Sequence, residues 1–296
     1  MKARAESLGR ELPGWLSGAL IFGTLAALLW LERRRPLRRP TQAQGRRDAR
    51  NLAMSVLTAA AVRLTEKPLT APLARKVHER RWGLLPRLGL PPALEVAAAA
   101  VLLDYTLYLW HWLTHRVPLL WRLHRVHHAD LDLSGSTALR FHFAEMMLSA
   151  PWRAAQVVTI GASARALSVW QTLTLVAILF HHSNIRLPMA LERRLCRVLV
   201  TPRMHGIHHS VVKEETHSNW GTILSIPDYL HGTIRLNVPQ DAIEIGVPAF
   251  RDPGELRFGA LLRMPFEEQR PTWQLEGRGP QPARLRDETR RSELRP

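Results

Sequence analysis

Cysteine is almost missing. Cys196 is the only one in 296 residues, which excludes an internal disulfide framework and any zinc site built on thiolates. Lysine is scarce as well, supplying four of the 41 basic residues, so the positive charge is nearly all arginine. Tyrosine is rare, at three residues against ten tryptophans. Acidic residues number only 25, and the resulting formal charge of +16 excludes an acidic disordered chain. There is no glycine-rich dinucleotide fingerprint, P-loop, haem-attachment sequence or His-Glu-x-x-His. The last absence argues against a common zinc protease.

The length suits one large domain or two small ones. Hydrophobic residues make up 46%, too many for a basic tail protein, and fit a packed core or a membrane protein. Tryptophan's amphipathic ring favours membrane interfaces. A charge of this size points to nucleic acid, anionic lipid or plain solubility. Nucleic-acid binders gather basic residues on one face. Here they lie between apolar segments and concentrate in loops, which favours anionic lipid and no nucleic-acid partner.

Leu12 to Leu31 runs 20 residues without a charge, long enough for a bilayer core of about 30 Å, with Trp15 and Trp30 near its ends. Arg33-Arg34-Arg35 follows, which the positive-inside rule places in the cytoplasm. A cleaved signal peptide is disfavoured by the run's length and by the Arg block where a small-residue cleavage site belongs. Asn51 to Val62 is short and apolar, either a stubby crossing or an interfacial helix. Residues 65–91 read as a polar connection. Ala93 to Trp110 reads as a helix with Asp104 inside it, and an acid within a membrane helix is costly and a functional candidate. Met146 to Phe180 is broken at Gly161-Ala-Ser-Ala, which predicts a hairpin of two helices that leaves and returns on one side. Phe266 to Pro296 has no apolar periodicity and reads as a mobile tail.

Histidine is the compositional outlier: 14 residues, nearly all between His111 and His231. His111 and His115 are spaced i, i+4. His124, His127 and His128 are spaced i, i+3, i+4, and so are His205, His208 and His209. His181 and His182 are adjacent, at the end of the hairpin. On a helix, residues three and four apart share a face, so each cluster can aim two or three imidazoles at one point. Imidazole suits Fe, Zn, Cu and Ni. One zinc takes three or four ligands, and this set is too large for one ion and right for two. Zinc is redox-silent, whereas two irons can store the two electrons needed to split O2 and attack an unactivated C–H bond. Neutral ligands around two cations call for carboxylates close behind them, and the candidates are Asp104, Asp130, Glu145, Glu214 and Asp228.

These motifs resemble the fatty acid hydroxylase superfamily, in particular bacterial sterol desaturase family proteins. The resemblance rests on Trp110-His-Trp-Leu-Thr-His-Arg116, Pro118-Leu-Leu-Trp-Arg-Leu-His-Arg-Val-His-His128 and Arg140-Phe-His142 with Glu145. It continues in Phe180-His-His-Ser-Asn184, Thr201-Pro-Arg-Met-His-Gly-Ile-His-His-Ser210, Asn219-Trp-Gly221 and Gly232-Thr233. It spans roughly Ala93 to Arg235. The resemblance implies an integral membrane, non-haem diiron enzyme that hydroxylates or desaturates a lipid (sterol-like, fatty acyl or related). It implies O2 as co-substrate, and electrons from an external reductase or from a ferredoxin or cytochrome b5-like carrier. Its ligands would be His111, His115, His124, His127, His128, His182, His205, His208 and His209, with His181 a possible tenth. His142, Glu145, Asp104 and Asp228 would stand behind them. Departures include Phe143 where proline is usual and His217 where the family often has aspartate. His217 and His231 are read as supporting donors or surface residues rather than ligands.

The expected fold is all-α and integral to the membrane, with a few transmembrane helices and a helical cytoplasmic cap holding a dimetal site. Residues 1–92 are expected to form a membrane anchor with basic connections, 93–240 the catalytic domain, and 241–296 a C-terminal extension ending in a partly disordered tail. The expected location is the bacterial inner membrane, with the active site on the cytoplasmic side. The alternative is a non-oxidative membrane metalloprotein, such as a zinc hydrolase or a metal-binding structural protein.

Overall fold

The computed structural model describes residues 8–273. Among these residues there is no strand, only three isolated bridges. The all-helical class expected from the sequence is observed.

Three helices are long and apolar enough to cross a membrane: α1 (Gly14–Arg34), α5 (Pro92–Arg116) and α8 (Ala164–His182). They differ in packing. Only 6% of the apolar window of α1 is buried inside the protein, against 28% for α5 and 44% for α8, so α8 is central and α1 peripheral. All three run the same way. Leu12 at the start of α1 donates its N–H to Ser168 at the start of α8, 2.9 Å away. At the other end Glu32 of α1 accepts the N–H groups of Gly135 and Asn184 at 2.7 and 2.8 Å. His111 and His115 of α5 and His181 and His182 of α8 lie at that same end.

Two legs carry the chain back. The first is α2 (Gln44–Ala61), a π turn at Val62–Glu66, and α3 (Lys67–Arg80), one continuous helical path. The apolar 51–62 segment is therefore the middle of a longer helix, and residues 65–80 are not the polar connection that their prolines and charges suggest. Glu66, Thr70, Ala74 and Val77 are buried at helical spacing while Lys67 and Lys76 face out. Pro68 directly follows the π turn, where Lys67 N–H reaches back five residues to the Val62 carbonyl and the ladder is already offset. A short helix α4 (Leu85–Leu88) leads into α5.

The second leg is α7 (Phe143–Gln156), ending in a π turn at Val157–Gly161. It forms the expected hairpin with α8. Gly161 has φ +80° and Gly83 φ +82°, and the two backbones touch. A side chain at either position would strike the other chain, so glycine is required at both. Ser163 then caps α8 by accepting the Ala166 N–H at 3.2 Å. The apolar core at this distal end joins Ala99 and Leu103 of α5, Val157, Ile160, and Leu167 and Trp170 of α8.

Short elements build the histidine end: α6 (Pro118–His128), α9 (Met189–Leu195), α10 (Pro202–His208), α11 (Lys213–Thr216), α12 (Ile226–Leu230) and α13 (Phe258–Arg263). Val247, Phe250, Leu256 and Leu261 pack against Val126 and Ala129 of the α6 region and Met54 of α2. Of the expected tail, residues 274–296 lie outside the described residues.

Candidate metal centre

Four elements deliver the imidazoles. α5 ends on His111 and His115, α6 on His124, His127 and His128, and α8 on His181 and His182. α10 carries His205 and His208, with His209 as its C-cap. Thr201 caps α10 by accepting the Met204 N–H at 3.4 Å. The i, i+3, i+4 spacing turns each cluster inward.

Nine of these rings meet in two groups. His111, His115, His124, His128 and His208 form one, and His127, His182, His205 and His209 the other. Within each group the candidate ligand atoms all lie within 4.8 Å of one another. His127 and His128 are neighbours in sequence yet serve different groups, as do His208 and His209. One turn of α6 and one of α10 therefore bridge both.

The donor atoms fit cations rather than a hydrogen-bonded cluster. In the second group His182 Nε2 stands 2.9 Å from His127 Nε2 and 3.0 Å from His205 Nε2, which is 3.1 Å from His209 Nε2. Two nitrogens held about 2.1 Å from one ion at a right angle sit about 3 Å apart. His182 Nδ1 donates to the Ile178 carbonyl at 2.8 Å, so its Nε2 carries a lone pair. In the first group His124 Nε2, His208 Nε2 and both nitrogens of His115 and His128 are buried without a partner. Buried polar atoms without partners are costly, and several converging on one point form a donor set that a cation would satisfy. An all-imidazole donor set suits Fe, Zn, Cu or Ni.

A second layer fixes the rings. His208 Nδ1 donates to the Ser218 carbonyl at 2.8 Å, His111 Nδ1 to the Trp220 carbonyl at 2.9 Å, and His181 Nδ1 to the Thr222 carbonyl at 3.0 Å. These three acceptors sit at alternate positions of one irregular stretch, which passes through the left-handed region at Asn219 (φ +53°), and each sets the tautomer of a histidine from a different helix. Two buried carboxylates hold that stretch. Asp228 accepts the N–H groups of Trp220 and Gly221, both at 2.8 Å, and Asp104 those of Ile223 and Leu224 at 3.1 and 3.0 Å. Glu145 acts on a candidate ligand directly, accepting His124 Nδ1–H at 2.8 Å.

Other candidates fall elsewhere. Asp130 binds Arg140 at 3.1 Å, Arg50 at 3.2 Å and Asn51 at 3.0 Å, a knot outside both groups. Burial alone would raise its pKa, but Arg140, Arg47 and Arg50 together pull it below the usual carboxylate value. Glu214 is exposed. His142 caps α7, accepting the Ala144 N–H at 3.1 Å. His181 belongs to neither group, although its ring lies 4.0 Å from that of His205. His217 stands 6.1 Å from the His115 ring, outside both groups, its pKa pushed down to about 4 by burial and by Arg116 and Lys213. His231 is exposed and bonds the Tyr105 hydroxyl at 3.1 Å.

Burial, then the neighbouring imidazoles, pushes His127, His128, His205, His208 and His209 well below the ordinary imidazole pKa. They are neutral at pH 7, the state a metal requires. Phe141 stacks on His127 at 4.3 Å, Trp121 covers His115 at 4.7 Å, and the buried Trp220 lies 4.6 Å from His115. These aromatic walls and the three carbonyl acceptors are functional parts that residue-by-residue reading misses. Their sequence signals are Trp121 and Phe141 inside the quoted histidine motifs and the Asn219-Trp220-Gly221 run.

Residues 96–233 match the family model for fatty acid hydroxylase. The protein named ornithine lipid hydroxylase OlsE, from Rhizobium tropici, is 27% identical over 257 residues, covering 84% of this chain and 75% of that protein. No solved structure matches. The resemblance to the fatty acid hydroxylase superfamily read from the motifs is borne out by both matches.

Proposed function

We propose that this chain, a fatty acid hydroxylase-type protein by its motifs and its matching residues 96–233, is a membrane-bound non-haem diiron enzyme that hydroxylates a membrane lipid. The observation that carries the reading is the convergence of nine buried or half-buried imidazoles in two adjoining groups. Hydroxylation is favoured over desaturation because both matches are to hydroxylases, and a polar lipid of the ornithine-lipid kind is the first substrate to test.

His111, His115, His124, His128 and His208 would hold one iron, and His127, His182, His205 and His209 the other. The pair would supply reduction of O2 and insertion of one oxygen into a C–H bond, with the balance R–H + O2 + 2 e⁻ + 2 H⁺ → R–OH + H2O. The protein's part is to hold these rings neutral and correctly turned. Glu145 keeps the proton on His124 Nδ1. The carbonyls of Ser218 and Trp220 keep it on Nδ1 of His208 and His111, leaving each Nε2 lone pair free. Phe141, Trp121 and Trp220 exclude water from the reacting face. Without a dinucleotide or haem motif of its own, the chain takes its electrons from an external reductase or a ferredoxin or cytochrome b5-like carrier.

In this reading residues 1–92 anchor the enzyme, 93–240 carry the chemistry and 241–296 extend it. The centre faces the cytoplasm of a bacterial inner membrane. The Arg33-Arg34-Arg35 block supports that side, because it adjoins Glu32, which bonds the histidine end.

The test is comparative lipid mass spectrometry on cells expressing the wild type or His127→Ala, with and without O2, together with metal analysis of the purified protein. A product heavier by one oxygen, dependent on O2 and His127, with stoichiometric iron, is the expected result. Zinc with an O2-independent product would replace this reading with a hydrolytic one.

A further inference from the structure

The turn α12 carries an unusual amount of open apolar surface for a five-residue element. Leu230 is 73% exposed, Ile226 42% and Tyr229 37%. This is not fraying, because the turn is anchored on both sides. Ser225 N–H donates to the Val198 carbonyl at 3.0 Å, Ser225 Oγ to the Cys196 carbonyl at 2.9 Å, and Thr233 N–H to the Asp228 carbonyl at 2.9 Å.

Its level relative to the long helices is fixed by contacts with α5. The His231 ring packs on Tyr105 and Tyr108 at 5.8 and 5.2 Å, and the preceding stretch bonds Asp104. Tyr105 lies six residues before His111, so at 1.5 Å per residue α12 sits about 9 Å back along α5, on the side away from the histidines. The apolar runs of α1 and α8 end at Glu32 and His181, which belong to the histidine level. If those ends mark the edge of the hydrocarbon, α12 lies at the depth of an interfacially embedded helix, about 5–10 Å.

The backbone is built for such a place. Non-helical chain at membrane depth must have its polar groups satisfied by protein. Asn219 N–H donates to the Thr233 carbonyl, Trp220 and Gly221 to Asp228, Ile223 and Leu224 to Asp104, and Ser225 to Val198. The anchoring segment also includes Arg197 and follows Arg193 and Arg194, cations of the kind that meet lipid phosphates.

We infer that α12 is seated in the bilayer beside α5, with Leu230, Ile226 and Tyr229 among acyl chains just beneath the headgroups. The cap then has a lipid contact of its own, apart from the spanning helices. The inference rests on α1, α5 and α8 spanning the membrane.

The full chain with Cys196→Ser tests it, carrying either Leu230→Cys or Phe22→Cys labelled with an environment-sensitive NBD probe, in vesicles of phosphatidylcholine and phosphatidylglycerol. Phe22 is 70% exposed midway along α1 and serves as the membrane reference. The expected result is blue-shifted emission at both positions, quenched by nitroxide-bearing lipid and not by aqueous iodide. Iodide quenching at 230 with lipid quenching at 22 overturns the inference and leaves the spans standing. Iodide quenching at both overturns the spanning assignment itself. Insensitivity of position 230 to both quenchers, with cross-linking between copies, overturns the inference in favour of a second copy of this chain.

Discussion

The guanidinium of Arg38 lies against the backbone of Gly206, beneath the turn that carries His205, His208 and His209. Arg38 is itself held: Nη1 bonds Gln240, its N–H donates to Asn184 Oδ1 at 2.9 Å, and Asn184 Nδ2 donates back to its carbonyl at 2.7 Å. An arginine from the block after α1 thus supports the last histidine motif, and the motif's glycine is the space it occupies.

Gly206→Ala puts a methyl where the guanidinium sits. Overpacking of this kind costs about 1–3 kcal/mol. The expected outcome is a lower melting temperature and loss of bound metal, read by thermal melts and elemental analysis. An unchanged metal content would show that Arg38 moves aside freely.

The two groups predict separable metal loss. His182→Ala, in one group only, should lower bound metal from about two ions per chain to about one. His111→Ala should do the same to the other. Elemental analysis of membrane-extracted protein checks both, and each variant should remain membrane-bound while losing activity.

Glu145→Ala removes the acceptor that orients His124. Loss of such an outer partner typically costs about 10–100-fold in metal affinity. Competition with a chelator measures it, and Glu145→Gln, which keeps an acceptor oxygen, should recover part of the loss.

Metal-free protein should lose stability as the pH falls. His127, His128, His205, His208 and His209 stay neutral in the fold at pH values where the unfolded chain protonates. Below about 6.5 the unfolded state therefore binds more protons, so stability is greatest above that pH and declines beneath it. Melts of apo-protein in detergent at pH 7.5 and 5.5 should show the lower midpoint at 5.5.

Asp104→Asn replaces an acceptor of two backbone N–H groups by a side chain that also presents donors. A buried amide left unsatisfied costs about 1–3 kcal/mol. A drop in melting temperature together with reduced metal content is expected.

Much of this was legible in the chain itself. The i, i+3, i+4 spacings put His127 and His128 each on the side of His124, and the Gly161 break gave the hairpin. The prolines at 68 and 72 hide the helix over 67–80, because the π turn before Pro68 offsets the ladder and accommodates what composition reads as a connection. How ten histidines sort into groups could not be read. Splitting His127 from His128 depends on where α8 and α10 arrive, which is a long-range matter. The carbonyls of Ser218, Trp220 and Thr222 carry no side-chain signature at all. Asp104 looked like a group for chemistry, and its work is to receive backbone amides.

The Ser218, Trp220 and Thr222 acceptors lie within five residues of one stretch, with Asn219 in the left-handed region (φ +53°) between the first two. Inserting or deleting a single residue there would displace at least one of these carbonyls relative to the others, releasing His208, His111 or His181. The orientation of those three rings thus depends on one short backbone path, and insertions should be far less tolerable there than side-chain changes.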